Sequence, residues 1–416
     1  MTHKFSQLAR YILTIFTIFL AALFSIGSAF AEKVLYTFPY TGENGLHPQA
    51  KLVYRSGKLY GTTQQGGGSS CAPLYTGCGV VFEVAESSDG SANFRLLYAL
   101  QGGKDVSTPV GNIVFDAAGN LYGVASGGGA NKLGGIFKLA PGEGGNWTET
   151  VIHSFAGSSD GQAPQAGLTI DAAGNLYGTT SLGGANGLGL VFELSPDSHG
   201  EWTETILYNF QGSPDGASPW SEVSFDSQGN IFGTTGGGGN NNSGSVYELA
   251  LNGSGGWNES VIGRFKNAQI GYPHSELLLA LAGDVFGVGQ GDGEGGEVFH
   301  LTQNNDGSWT ETTIFTFGAH SGVNPYGGLA TDAEGNLYGT TPNGGFYDLG
   351  TVYRLSPGSG SAWTHTTIHS FVAEGRGDGE NPEAGLTEGE PGVYYGTTFG
   401  ELYEATQAGT VFTIKP

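Results

Sequence analysis

The hexapeptide Asn175-Leu176-Tyr177-Gly178-Thr179-Thr180 recurs in variant form along the whole chain. Successive copies lie 52 to 62 residues apart, which is a period typical of repeat folds such as propellers and solenoids. The aromatic–glycine pair at its centre occurs seven times: Tyr60-Gly61, Tyr122-Gly123, Tyr177-Gly178, Phe232-Gly233, Phe286-Gly287, Tyr338-Gly339 and Tyr395-Gly396.

Each copy of the repeat contains four short runs rich in Val, Ile, Thr, Tyr and Phe. In the third copy these runs are residues 168–171, 175–180, 191–194 and 203–210, and turn-forming residues separate them. The turn at 171–175 includes Gly174, which can adopt a positive φ. No helical periodicity is sustained after residue 31. The sequence therefore predicts an all-β fold, a seven-bladed β-propeller with four strands per blade.

The two ends of the repeat region complement each other. Residues 32–38 align with residues 149–155, so the region begins with a fourth strand that has no blade in front of it. It ends at 411–414, a third strand with no fourth strand after it. We expect the N-terminal strand to complete the last blade, because this pairing removes two open sheet edges.

Composition excludes several classes of protein. The chain has 416 residues, a net charge of −23 and 76 glycines, with 38% hydrophobic and 13% charged residues. The glycines lack the period of collagen, and the composition does not suit a helical bundle or coiled coil. Strong acidity argues against nucleic acid or an anionic membrane surface as a partner. We expect a monomer.

The N-terminus has the pattern of an export signal. Lys4 and Arg10 precede an apolar run over 11–26, and Ser28-Ala29-Phe30-Ala31 fits a cleavage site. A membrane anchor is the alternative, but the run is short and no second apolar span follows it. We therefore predict a signal peptide over 1–31 and a propeller over 32–416, secreted or periplasmic, with no membrane span after cleavage.

The chain contains two cysteines, Cys71 and Cys78, which lie close together. In an exported protein this spacing favours a disulfide that closes a short loop. A metal site is the weaker alternative, because no paired CxxC or nearby histidine completes a ligand set.

The repeat unit also carries G-x-V-[FY]-x-L, G-x-W-T-E-T and F-x-G-x-x-D-G-x-x-P after the Tyr-Gly segment. With them it resembles the Gloeo/Verruco repeat of exported bacterial proteins over nearly all of residues 32–416. The resemblance implies a propeller-like exported protein and supplies no catalytic motif. The order of first strand, hairpin turn and second strand in the repeat is also similar to that of NHL-type propellers. These include binding proteins and some enzymes, so the fold alone assigns no function.

The residue after the proline that precedes each inner strand should surround the mouth of the central channel. A purely structural position would tend to repeat one residue type, whereas this position varies and is our candidate ligand site; neutral drift at an exposed surface is the alternative. Trp220 is notable because the other five tryptophans occupy the G-x-W slot and should pack between blades. We call the seven the rim residues: Gln49, Val110, Gln165, Trp220, His274, Tyr326 and Glu383.

The sequence contains no complete catalytic set, and it has no HExxH motif. Glu383 with a second carboxylate would suit a glycosidase, and His274 with Tyr326 would suit a lyase. Asp292 and Glu294 could bind Ca²⁺, but a solvated Gly-rich turn is the better explanation for them, and we expect no cofactor.

We therefore expect an exported, non-catalytic propeller that binds a neutral glycan or a protein at the rim. The alternatives are a glycan-active hydrolase or lyase and a structural cell-surface protein. A second carboxylate beside Glu383 would favour the enzyme. Trp220 and Tyr326 packed on each other would favour the structural protein.

Overall fold

The computed structural model describes residues 31–72, 75–87, 89–265, 271–280, 283–291, 295–360, 362–372, 378–400 and 408–416. The expected signal peptide, apart from its last residue, lies outside these residues. So do Asp292 and Glu294, the candidate calcium ligands.

The described residues form seven antiparallel blade sheets and one two-stranded hairpin, and two short 3₁₀ turns at Glu143–Gly145 and Asn240–Asn242 are their only helical segments. The first strand is β1 (Ala31–Thr37). Blade 1 contains β2 (Val53–Arg55) and β3 (Lys58–Thr63), a loop hairpin of β4 (Gly67–Ala72) and β5 (Tyr75–Gly77), then β6 (Val80–Glu86) and β7 (Ala92–Ala99). Blade 2 is β8 (Val106–Phe115), β9 (Leu121–Gly128), β10 (Gly135–Pro141) and β11 (Trp147–Ser154). Blade 3 is β12 (Thr169–Ile170), β13 (Leu176–Thr180), β14 (Leu190–Pro196) and β15 (Trp202–Asn209).

Blade 4 divides its innermost position between two strands, and the remaining blades keep four. Blade 4 is β16 (Gly216–Pro219) and β17 (Ser224–Phe225), both paired with β18 (Ile231–Gly238), then β19 (Ser245–Leu251) and β20 (Trp257–Arg264). Blade 5 is β21 (Leu278–Leu279), β22 (Val285–Gly289), β23 (Glu297–Gln303) and β24 (Trp309–Thr316). Blade 6 is β25 (Ala330–Thr331), β26 (Leu337–Thr341), β27 (Thr351–Pro357) and β28 (Trp363–Ser370). Blade 7 is β29 (Thr387–Glu388), β30 (Tyr394–Thr398) and β31 (Thr410–Lys415), followed by β1.

The N-terminal strand closes the last blade, as the sequence predicts. β1 runs antiparallel to β31, from the pair Ala31↔Lys415 to the pair Thr37↔Thr410. The described structure is thus a seven-bladed propeller whose ring is closed by the pairing of its first and last strands.

The hydrophobic core lies between the blades rather than at the centre. Seven clusters of buried side chains occupy the seven junctions between neighbouring blades. The G-x-W tryptophans belong to these junctions: the Trp202 ring lies 5.6 Å from Tyr122 of the preceding blade, and Trp309 lies 6.3 Å from Phe232. Their predicted role in packing is confirmed.

The glycine of each Tyr-Gly pair is required by a neighbouring aromatic ring. Gly178 pairs with Phe192 across β13 and β14, and a Cβ on Gly178 would lie 2.6 Å from the Phe192 ring. The same close approach occurs in the other six blades, where a Phe or Tyr of the third strand covers the glycine. In every copy of the repeat, the absence of a side chain on this glycine leaves space for the aromatic ring of the third strand.

Candidate functional site

A bend before each inner strand positions the rim residues. In all seven blades the residue before the proline has a left-handed φ of 51–60°, although none of the seven is a glycine. Its N–H donates to a carbonyl of the preceding blade, as Ser218 does to Leu188 at 2.8 Å. Pro219 packs where a Cβ on Gly189 would lie, 2.7 Å from the proline Cδ. These contacts fix the direction of the chain just before each rim residue. None of them involves the side chain of the rim residue itself.

The seven rim residues line a single cavity of about 290 Å³ at the channel mouth. The sequence predicted that they surround this mouth, and the structure brings all seven together. The residue that follows each rim residue is small, for example Ala50, Gly111 and Ala166, so these positions add little side-chain volume to the wall of the cavity.

One side of the cavity is an aromatic arc formed by three consecutive blades. The Trp220 and His274 rings meet edge to face at 4.5 Å, and His274 lies 5.5 Å from Tyr326. His274 thus separates Trp220 from Tyr326. Trp220 remains 37% exposed, so part of its ring is free for contact. Burial lowers the pKa of His274 to about 4, and its imidazole is neutral at physiological pH.

The other side of the cavity is a chain of polar side chains. The Gln49 amide donates to Glu383, and the Gln64 amide donates to the oxygen of Gln49. Burial raises the pKa of Glu383, and the amide of Gln49 opposes that shift. Burial, together with the Glu383 carboxylate, raises the pKa of Tyr326 to about 12, so the tyrosine keeps its proton.

The floor of the cavity is charged, and sequence reasoning missed it. Lys51 forms an ion pair with Glu276, which lies three blades away around the ring. Glu222 accepts a 3.0 Å hydrogen bond from the backbone N–H of Asn112, two blades away. These contacts join non-neighbouring blades across the channel beneath the rim. Each of the four residues lies two positions after a rim residue, and the period of two in a strand was the available signal.

The floor holds its charges in near balance. Burial, and then the neighbouring Glu276 carboxylate, raise the pKa of Glu222 to about 8, so this carboxyl is protonated at neutral pH. Burial alone would lower the pKa of Lys51, but Glu276 more than offsets it and keeps the amine charged. The pocket therefore presents one ion pair and one neutral acid beneath the rim.

The predicted disulfide between Cys71 and Cys78 is present, with the two Cα atoms 5.2 Å apart. It closes the loop hairpin of blade 1, and neither cysteine lines the cavity. Within the described residues, no helix is long and apolar enough to cross a membrane.

Comparison with known families identifies the repeat. A model of the Gloeobacter/Verrucomicrobia repeat matches residues 20–170, 73–294 and 253–416. The chain belongs to the Gloeobacter/Verrucomicrobia repeat family. Family membership agrees with the resemblance seen in the sequence and covers almost the whole propeller. No curated protein matches this family member at a significant level.

Two solved structures are similar to this family member at low sequence identity. The extracellular domain of a hybrid two-component system from B. thetaiotaomicron superposes with a TM-score of 0.53 at 12% identity. That match covers 92% of this chain, and the chain spans 41% of the matched one. A protein of unknown function from Dyadobacter fermentans matches with a TM-score of 0.48 at 12% identity, over 93% of this chain and 99% of the other. At such identity the similarity describes the fold alone.

Proposed function

We propose that this protein is an exported, non-catalytic propeller that binds a neutral glycan in the channel-mouth cavity. The observation that carries the proposal is the convergence of the seven rim residues on one cavity, with a partly exposed tryptophan among them. An aromatic face beside a few placed polar groups suits a sugar, which offers both an apolar face and hydroxyls.

The shape of the pocket favours the end of a glycan over its middle. At about 290 Å³ the cavity lies near the lower limit of typical ligand sites, which is about 300 Å³. The Lys51–Glu276 and Glu222–Asn112 contacts narrow the channel beneath the rim. A terminal sugar fits these limits, whereas an internal segment of a chain would need an open groove.

The charges favour an uncharged ligand. The Lys51–Glu276 pair is internally neutralised, Glu222 is protonated and His274 is neutral at pH 7. Glu383 is the remaining acid at the rim. Since the whole chain carries a net charge of −23, a polyanion would be repelled both at a distance and within the pocket.

One observation supports the enzyme alternative. Glu222 holds a proton at neutral pH in the same pocket as Glu383. A glycoside hydrolase uses such a pair, with a protonated carboxyl as general acid and a second carboxylate as base or nucleophile. Glu222 and Glu276 are in direct contact, so those two leave no space for a sugar between them. In this alternative Glu222 is the acid and Glu383 is its partner. For a lyase the candidates stay His274 and Tyr326.

A glycan array on the purified protein tests the proposal, with each hit measured by calorimetry. Trp220→Ala should weaken binding by about 1–3 kcal/mol, or roughly 5- to 150-fold, because a stacked indole is a typical hot spot. The matched control is Phe346→Ala, which truncates an aromatic that is 82% exposed and outside the pocket. Equal losses in both variants, or no loss in Trp220→Ala, would contradict binding at the rim.

Product analysis separates binding from catalysis. A non-catalytic protein leaves every bound glycan intact over hours. Release of a shorter product by the wild type, abolished by Glu222→Gln, would replace the proposal with the hydrolase. Binding of a protein and of no glycan would favour the protein ligand instead.

Export is part of the same proposal. The leader-like N-terminus and the Cys71–Cys78 disulfide both point to an oxidising compartment. Fractionation of expressing cells, with alkylation of free thiols before lysis, would place the protein in the cytoplasm, the periplasm or the medium. Two free thiols in a cytoplasmic fraction would contradict export.

A further inference from the structure

A recurrent contact joins neighbouring blades near their outer strands. It contains a residue from the fourth strand of one blade, an Asp from the following loop and a Glu from the fourth strand of the next blade. We call this set the junction triad. Between blades 2 and 3 the triad is His153, Asp160 and Glu204.

The junction triad of blades 2 and 3 has the dimensions of a metal site. The Nε2 atom of His153 lies 3.0 Å from Oδ1 of Asp160 and 3.8 Å from Oε1 of Glu204. Zinc bonds of about 2.0–2.1 Å in a tetrahedron place neighbouring ligand atoms about 3.4 Å apart. The two observed separations lie on either side of that value.

The same set of donors recurs between blades 6 and 7. His369 Nε2 lies 3.1 Å from Oδ2 of Asp378, and Glu32 of the closing strand β1 completes the triad. In each triad the three donor atoms lie within 4.8 Å of one another. A histidine with two carboxylates thus occurs twice, at equivalent positions of the repeat.

Both triads contain a buried carboxylate oxygen that a cation could neutralise. One carboxylate oxygen of Glu204 and one of Glu32 are buried without a hydrogen-bond partner. Glu204 faces Asp160, and Glu32 faces Asp378. Two carboxylates in contact require something positive between them, either a proton or a cation.

Two other junctions provide an internal comparison. Between blades 3 and 4 the same acid pair, Asp215 and Glu259, is accompanied by Tyr208, whose hydroxyl donates to Asp215 at 3.0 Å. Between blades 1 and 2 the residues are Tyr98, Asp105 and Glu149. A phenol of high pKa donates a proton to the acid, whereas a neutral imidazole offers a lone pair to a metal ion.

We propose that the two histidine-containing junction triads bind a divalent transition-metal ion such as Zn²⁺. Each would supply one imidazole nitrogen and two carboxylate oxygens, and water would take the fourth position. The ion would bridge two blades at each site. At the junction of blades 6 and 7 it would also hold the strand that closes the ring, so its role would be structural and separate from the rim cavity.

Zinc titration of the purified protein, freed of affinity tags, tests this proposal by calorimetry and by competition with a chromophoric chelator. The wild type should bind two ions, and its melting temperature should rise with zinc. His153→Tyr and His369→Tyr should each remove one ion, and the double variant should bind none. Tyrosine occupies the equivalent position in blades 1 and 3, so these variants should fold and should melt like the wild type in chelator.

Tyr208→His provides the converse test, because Asp215 and Glu259 are already in place. This variant should bind a third ion. No zinc binding by the wild type at micromolar concentrations would overturn the proposal. So would two ions retained by the double histidine variant, since the ions would then lie elsewhere. Failure of Tyr208→His to gain an ion would overturn the imidazole as the deciding donor.

Discussion

Replacing Phe38 with alanine should destabilise the whole propeller. Phe38 follows β1 and has no exposed surface at the junction of blades 7 and 1. Its ring meets Phe82 edge to face at 5.2 Å and Phe94 at 5.8 Å. Its repeat equivalent, Phe155, is also fully buried, between blades 2 and 3. If β1 is an integral strand of the propeller, Phe38 and Phe155 should contribute equally to the free energy of unfolding.

The magnitude follows from burial and chain length. Truncating a fully buried phenylalanine to alanine costs about 3–5 kcal/mol. At about 2.1 cal/mol/K per residue, cooperative unfolding of residues 31–416 has an entropy of about 0.8 kcal/mol/K. Phe38→Ala should therefore lower the melting temperature by about 4–6 °C, and Phe155→Ala should lower it by a similar amount.

Calorimetric melting of the two variants beside the wild type provides the comparison. Similar shifts would show that β1 belongs to the cooperative unit. A large shift for Phe155→Ala with none for Phe38→Ala would refute the reasoning, because the N-terminal strand would then be a dispensable appendage. Urea melts with unchanged slope would verify that both variants unfold in the same single step.

Two further predictions concern packing and protonation. Gly339→Ala places a methyl group against the ring that covers this glycine and should cost about 1–3 kcal/mol, whereas Gly253→Ala, with open space around it, should change the melting temperature little. Glu222 has a pKa of about 8, above its ordinary value of 4.5, so its contribution is complete below pH 4.5 and is lost as the pH rises to about 8. Over that range the wild type should lose about 4 kcal/mol more than Glu222→Gln, as measured by denaturant melts at a series of pH values. Parallel pH profiles for the two proteins would contradict the shifted pKa.

The fold could be predicted from the sequence because each blade repeats its local rules. The glycine under an aromatic ring and the polar turn after the first strand are short-range signals, and they occur seven times. The pairing of β1 with β31 was also predictable, since both ends carry recognisable parts of one blade. A single copy of the repeat would not have been sufficient to predict the fold.

The cavity was predictable only in part. The position after each proline identified the rim, because the fixed proline and the variable neighbour stand side by side in the sequence. The floor depends on contacts across the channel, such as Lys51 with Glu276, and these join blades that the sequence does not relate. The junction triads were missed for a similar reason, because Glu204, which completes the triad of His153 and Asp160, belongs to another blade.

Ring closure has a kinetic consequence. β1 is the first strand of the propeller to be synthesised and β31 is the last, so the pair Ala31↔Lys415 cannot form until the ribosome has synthesised β31. Joining those ends across an unfolded polymer of about 380 residues would cost about 5 kcal/mol of loop entropy. Blades that fold earlier shorten the flexible path and reduce this cost, so the propeller should assemble blade by blade and close last. Until then its nascent form carries two unpaired strand edges that can recruit a neighbouring chain.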